Sequence, residues 1–181
     1  MELVSVGTIR PHSSFEAVFA AEFQPLHRYI RRRVGRDAAD DLAAETFARA
    51  FVTWESFDQR RPVRPWLYGI ATNLLRRLRR DEERKLRAYA RTGRDPIAEH
   101  DPDGLINRLS DAQTYRELAS ALAELRPVDR DLLLLRAWAE LTDEEISVAL
   151  SLPLGTVKSR LYRTRKRLAA LLGYSSKGDL G

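Results

Sequence analysis

The chain has 181 residues, a formal net charge of +5 and no cysteine, which bounds it to one domain or two small ones and excludes disulfide frameworks and thiolate zinc sites. Its histidines, His12, His27 and His100, lie far apart in sequence without ligand spacing, so neither a metal nor another cofactor is expected. The basic balance favours a polyanionic partner; the opening MELVSVGTIRPHSS lacks a basic region followed by an apolar run, and no stretch is apolar enough to span a bilayer, so a soluble cytoplasmic protein is expected.

Strand signals are scarce, and the chain reads as all-α. Residues 1–12 look like a loose tail. Ser13 and Glu16 have capping-box spacing, opening a helix whose apolar face is Phe15, Val18, Phe19, Phe23, Leu26, Tyr29 and Ile30. Pro25 is expected to kink or split it. Arg28, Arg31, Arg32, Arg33 and Arg36 crowd its end, where they complement the helix dipole or contact nucleic acid; both readings stand. Gly35 ends that helix, and Asp37 is expected to cap the next, DAADDLAAETFARAFVTW, with Leu42, Thr46, Phe47, Ala50, Phe51 and Trp54 inward. Asp37, Asp40, Asp41 and Glu45 share a second face. First-turn acid accounts for the aspartates but poorly for Glu45, so a protein-docking stripe is the competing reading.

The loop SFDQRRPVRPW carries Arg60, Arg61 and Arg64 and leads into a helix, WLYGIATNLLRRLRRDEERK, with an apolar stripe of Trp66, Leu67, Ile70, Leu74 and Leu78. Asn73, Arg76, Arg77 and Arg80 fall on its exposed side. Arginine, asparagine and aromatic side chains around one loop and helix suit unpaired bases, which stack on rings and offer edges to polar groups; Trp66 reads equally well as core. From Arg84 to Asp111 the pattern fades into a Gly- and Pro-punctuated linker, expected to be flexible and able to reach about 95 Å when extended.

Ser110 and Gln113 repeat the capping-box spacing before a helix with Tyr115, Leu118, Leu122 and Leu125. Pro127 suits the first position of the following helix, VDRDLLLLRAWAEL, which is apolar on most sides. Thr142 and Glu145 cap a short helix, Ser151-Leu152-Pro153 breaks it, and a longer helix follows with Leu154, Val157, Leu161, Leu168 and Leu172 on one side. Its other faces hold Thr156, Lys158, Ser159, Arg160, Arg163, Arg165, Lys166 and Arg167, and no acid occurs between Leu154 and Leu172. A short helix, a tight turn and a basic amphipathic helix form the helix-turn-helix pattern, whose second helix enters the major groove. A solvated surface helix would mix charge signs.

These stretches resemble the sigma factors of bacterial RNA polymerase, in the compact extracytoplasmic-function group that keeps the second and fourth conserved regions. The carriers are DAADDLAAETFARAF, RPWLYGIATNLLRRLRR, LAELRPVDRDLLLLRAWAELTDEEISVAL and LPLGTVKSRLYRTRKRL, over about residues 14–83 and 113–172. The resemblance implies a region 2 domain over 13–83, a linker over 84–111, a region 4 helix-turn-helix domain over 112–173 and a tail over 174–181: two small helical domains. It implies docking on core polymerase, on the clamp coiled coil of the largest subunit, by Asp37, Asp40, Asp41, Glu45 and Phe47, with the flap as a further contact. It implies minus-ten recognition and melting by Arg60, Arg61, Arg64, Trp66, Asn73, Arg76, Arg77 and Arg80, and minus-thirty-five duplex reading by Thr156, Lys158, Ser159, Arg160, Arg163 and Arg165. An anti-sigma partner is common in the family. Three positions depart from its pattern: Ser151 stands where Gly or Asn is frequent, and Gly69 and Arg76 replace commoner choices in the promoter-melting helix.

An enzyme reading has no support: there are no paired catalytic carboxylates, no nucleophile–base order and no Gly-rich phosphate loop. A free-standing dimeric helix-turn-helix regulator leaves the first module without a task, and an RNA-binding adaptor leaves the acidic stripe and the helix-turn-helix unexplained.

Overall fold

The computed structural model describes residues 14–92 and 112–174, and within them the chain is built from helices joined by short turns. The N-terminal half contains α1 (Phe15–Val34), α2 (Arg36–Val52), a 3-10 turn (Trp54–Ser56), α3 (Val63–Arg77) and α4 (Arg79–Thr92). The C-terminal half contains α5 (Ala112–Glu124), α6 (Pro127–Ala137), α7 (Asp143–Leu150) and α8 (Leu154–Leu171).

Several local expectations change. The cap of α1 is Ser14, whose side chain accepts from the Ala17 amide; Ser13 lies outside the described residues, as does Ser110. Pro25 does not split α1, which continues through it. Helix α2 starts at Arg36 rather than at an Asp37 cap: Gly35 sits between α1 and α2 at φ 94°, a left-handed value that a side chain would resist. The helix expected from Trp66 onward is two, divided at Leu78, and α4 runs on to Thr92, so the boundary expected after Glu83 falls inside a helix. Phe51, expected inside, is 63% exposed.

The second half follows its sequence more closely. Pro127 opens α6. The Thr142–Glu145 capping box is formed in both directions. Ser151 ends α7 in the left-handed region, φ 53° and ψ 45°, held by its amide to the Val148 carbonyl and by Ser147 Oγ donating to the Leu152 carbonyl at 2.6 Å. Arg130 supplies a cap no pattern announced: its side chain is fully buried and donates to the carbonyls of Leu122, Ala123 and Leu125, closing the C-terminal end of α5.

The two halves pack on each other. Leu26, Ile30, Leu67 and Leu75 from the first and Leu132, Leu135, Leu141 and Ile146 from the second belong to one continuous apolar core, each buried side chain stabilising by about 1.5–3 kcal/mol. Helix α3 lies against α7, and α4 against α5.

Candidate nucleic-acid interface

Helices α7 and α8 and the Ser151 turn form the expected helix-turn-helix. Val157 and Leu161 anchor α8 in the core. That anchoring turns Lys158, Ser159, Arg163 and Arg165 outward, while Thr156 and Arg160 are half-buried. Tyr162 stands 69% exposed among them, an aromatic the sequence reading passed over although it lies four residues after Lys158 on the same face. Arg160 is turned inward: its Nη1 donates to Asp129 Oδ1 at 3.1 Å, and Arg126 Nε donates to the other oxygen at 2.7 Å. These residues line a small cleft with Arg163, Thr164 and Arg167.

The loop before α3 is ordered by its own charges. Asp58 accepts from the backbone and side chain of Arg60, which lowers the carboxyl pKa, side-chain hydrogen bonding first. Trp66 is neither wholly core nor free: it is half-buried and stacks on Phe57, ring centroids 4.3 Å apart, with Trp54 beyond. Arg60, Arg61, Asn73, Arg76 and Arg77 are exposed; Arg80 lies on α4. Arg64, expected in the DNA-facing loop, instead reaches the other module, donating to the Ala139 carbonyl at 2.8 Å, with Glu22 at 3.8 Å. Burial pushes the neighbouring Tyr68 phenol up to about 12 against the opposing pull of Arg64, so it stays neutral. A cleft of about 500 Å³ opens beside this loop; Phe57, Arg61, Trp66 and Asn73 form one wall, and Val148 and Ser151 of the helix-turn-helix contribute the other.

Asp131 connects the modules. Its side chain is 2% exposed, and its two oxygens accept from Arg33 Nη2 at 2.7 Å and Arg76 Nε at 3.0 Å. Arg33, expected to complement the helix dipole or contact nucleic acid, is thus buried, where it also donates to the Tyr29 hydroxyl. The sequence signal for this was a pair of acids, Asp129 and Asp131, flanking Arg130 just before the apolar run Leu132 to Leu135.

On α2, Asp37, Asp40, Asp41 and Glu45 are all exposed along one side. Asp40 accepts from His27 Nε2 at 2.7 Å, and Glu45 pairs with Arg49. Phe47 is not part of this surface: it is 4% exposed, packed against the rings of Phe15, Phe19 and Phe23, because its turn of α2 faces α1. Among the described residues there is no cluster of acids and histidines that would hold a metal, and no helix long and apolar enough to cross a membrane.

The family model for sigma-70 region 2 matches residues 18–85, and that for sigma-70 region 4 matches residues 115–168. The chain is 31% identical over 157 residues to the probable RNA polymerase sigma-C factor of Mycobacterium bovis, covering 87% of this chain and 82% of that one. It is 34% identical over 138 residues to the ECF RNA polymerase sigma factor SigW of Bacillus subtilis, covering 72% and 73%. Among solved structures it is similar in fold to CnrH in complex with the cytosolic domain of CnrY, with TM-score 0.60 and 24% identity over 90% of this chain and 89% of that one. It is also similar to RpoE in complex with the anti-sigma factor NepR from Bartonella quintana, with TM-score 0.61 and 22% identity over 88% and 96%. The dimeric-regulator alternative leaves the region 2 match unexplained. The chain belongs to the sigma-70 family, as an extracytoplasmic-function RNA polymerase sigma factor that directs promoter-specific transcription initiation.

Proposed function

We propose a division of this task between the modules. Region 2 docks on the clamp coiled coil of core polymerase through the exposed acids Asp37, Asp40, Asp41 and Glu45, with Phe47 supporting that surface from beneath. The loop at Arg60 and Arg61, the Trp66 stack and the α3–α4 residues Asn73, Arg76, Arg77 and Arg80 hold the unpaired minus-ten strand. Helix α8 reads the minus-thirty-five duplex through Lys158, Ser159, Arg163 and Arg165, with Thr156 at its start and Arg160 joining once released from Asp129. The chain does no covalent chemistry and acts in the cytoplasm, open to control by an anti-sigma partner of the kind that RpoE carries in NepR.

One observation carries this reading: the charges are sorted by sign, exposed acid along α2 and exposed base along α8, on modules of different family regions. A good arginine–guanine contact contributes about 1–3 kcal/mol of discrimination, so a few of them from one small helix suit a protein that reads DNA as part of a larger assembly.

The test uses purified protein and core polymerase. Replacing Lys158, Arg163 and Arg165 with alanine is expected to abolish transcription from a two-part promoter while co-elution with polymerase persists; loss of co-elution would refute the assignment of α8. Asp40→Lys with Asp41→Lys is expected to weaken polymerase binding itself, and unchanged affinity would refute the docking surface.

A further inference from the structure

Arg160, Arg163, Thr164 and Arg167 recur on α8 at i, i+3, i+4 and i+7, so they share one side of the helix. Like charges at that spacing destabilise a helix, and no acid between Leu154 and Leu172 relieves them. This side lies between the face anchored by Val157 and Leu161 and the outward face of Ser159 and Tyr162. It is turned to the start of α6, and the two helices enclose a cleft of about 160 Å³ whose other wall carries Arg126 and Asp129. One water needs about 10–15 Å³ of such space, so the cleft has room for a tetrahedral oxyanion. Arg126, Arg163 and Arg167 are exposed at its mouth.

Four guanidinium groups and the single carboxylate of Asp129 leave the cleft with a net charge of +3. Asp129 is already engaged, by Arg126 at 2.7 Å and Arg160 at 3.1 Å. Arg163 Nε donates to the Ser159 carbonyl at 3.2 Å, and Arg167 Nη2 donates to the Glu124 carbonyl at 3.4 Å. A guanidinium carries five N–H donors, so these bonds use a fraction of what the four arginines offer. Thr164 adds a neutral donor: it is 4% exposed, it lines the cleft, and among the described residues its hydroxyl meets no hydrogen-bond partner. Burying a hydroxyl without a partner is costly, and a bound anion would satisfy it. The cleft also opens at the first turn of α6, where Arg126 supplies no side-chain cap and the helix dipole favours negative charge.

We propose that this cleft is a binding site for a phosphate group, held by Arg126, Arg163 and Arg167 at the mouth and by the Thr164 hydroxyl at the floor, with Asp129 fixing Arg160 behind it. Arginine is suited to this task because its planar fork meets two phosphate oxygens at once. The recognised chemistry is the same for a free phosphate and for a backbone phosphate of duplex DNA. The site rests on the geometry of the cleft; its use by DNA rests on the assignment of α8 made above.

The experiment titrates inorganic phosphate into the full chain, in place of chloride at constant ionic strength, and follows the amide NMR spectrum. Saturable shifts at Val128, Arg163 and Thr164 are expected. Thr164→Val, which keeps the shape of the side chain, and Arg167→Gln are each expected to weaken phosphate binding at least about tenfold, as losing a hydrogen bond to a charged group does, while the rest of the spectrum keeps its folded dispersion. Shifts that scatter along α8 without saturating, or variants that bind phosphate as the parent does, would overturn the site, because the arginines would then only screen passing anions. Binding of a short random-sequence, fluorescein-labelled duplex then identifies the source of the phosphate. Duplex affinity that falls with Thr164→Val makes the occupant a backbone phosphate. Duplex affinity that holds while phosphate binding falls makes it a free phosphate. The phosphate titration needs neither promoter nor polymerase, so failure of the α8 assignment is distinguishable from failure of the cleft.

Discussion

Asp131→Ala tests how much the ion pair couples the modules. Arg33 and Asp131 each have side chains 2% exposed, so removing the acid takes from a buried guanidinium the carboxylate it meets at 2.7 Å. Breaking a buried pair in this way costs about 3–5 kcal/mol. The second partner adds little: Arg76 is 41% exposed and solvent screens its interaction. With a urea dependence of about 1–3 kcal/mol per molar, the transition should fall by roughly 2 M. The molecule can avoid part of this cost by separating the modules and hydrating Arg33. The variant should therefore unfold in two steps where the parent, with one continuous core, unfolds in one. The assay is urea unfolding followed by tryptophan fluorescence and circular dichroism. Trp54 and Trp66 lie in the first module and Trp138 in the second, so removing Trp138 isolates the first. Arg33→Met with Asp131→Leu removes both charges and fills the space; it should recover most of the loss and the single step. An Asp131→Ala loss below about 1 kcal/mol, with one shared transition, would refute the reasoning, because it would place the pair among screened surface contacts.

Three further substitutions probe the scaffold. Arg130→Met takes the side-chain donor from the Leu122, Ala123 and Leu125 carbonyls, of which Leu122 keeps the Leu125 amide; at about 1–3 kcal/mol for a buried group left unsatisfied, the loss should be about 2 kcal/mol in urea unfolding, and Arg130→Leu should behave alike. Ser151→Gly relieves a left-handed residue and should stabilise by about 1 kcal/mol, read as a higher melting temperature. Glu22, with a side chain 12% exposed, has its pKa raised above the ordinary 4.5, by burial first and partly offset by Arg64. Its folded value lies above its unfolded one, so its contribution to stability is complete below about pH 4.5 and is lost as pH rises through the folded value. Glu22→Gln should therefore gain melting temperature relative to the parent between pH 4 and pH 7, and a gap independent of pH would contradict the burial.

What the sequence showed and hid follows from where the information resides. The Thr142 capping box, Pro127 at the start of α6 and the basic face of α8 are local patterns, and each appears where the spacing placed it. The turn at Ser151-Leu152-Pro153 was legible from its proline, while the left-handed backbone of Ser151 was hinted at only by the resemblance, in which Gly or Asn is frequent there. Phe47 was placed on the docking surface by resemblance, yet its apolar spacing with Leu42 and Ala50 already marked the inward side of α2, which is where it lies. Arg33, Arg64, Arg76 and Arg160 looked interchangeable with their basic neighbours. Their partners, Asp131, Ala139, Asp131 and Asp129, are 31 to 98 residues away, and no periodicity records a pairing at that range.

Those distant pairings change the meaning of the basic charge. Of the arginines assigned to DNA from sequence, Arg64, Arg76 and Arg160 are held by oxygen atoms of the C-terminal module, while Lys158, Arg163 and Arg165 stay exposed on α8. Non-specific affinity scales with the number of phosphates a protein can neutralise. A chain that holds three of its arginines internally has correspondingly less affinity for arbitrary DNA than its +5 charge and basic patches imply. In the docking proposed above, core polymerase meets the α2 surface, where Asp37 and Asp41 are exposed and Asp40 is exposed beside His27. On the assignments proposed above, polymerase docking and DNA reading are separated: the α2 acids are exposed in the packed state, while Arg64, Arg76 and Arg160 are engaged by oxygen atoms of the C-terminal module. A selectivity factor gains from that order, since one that bound duplex freely before docking would be dispersed over the many non-specific sites of a genome.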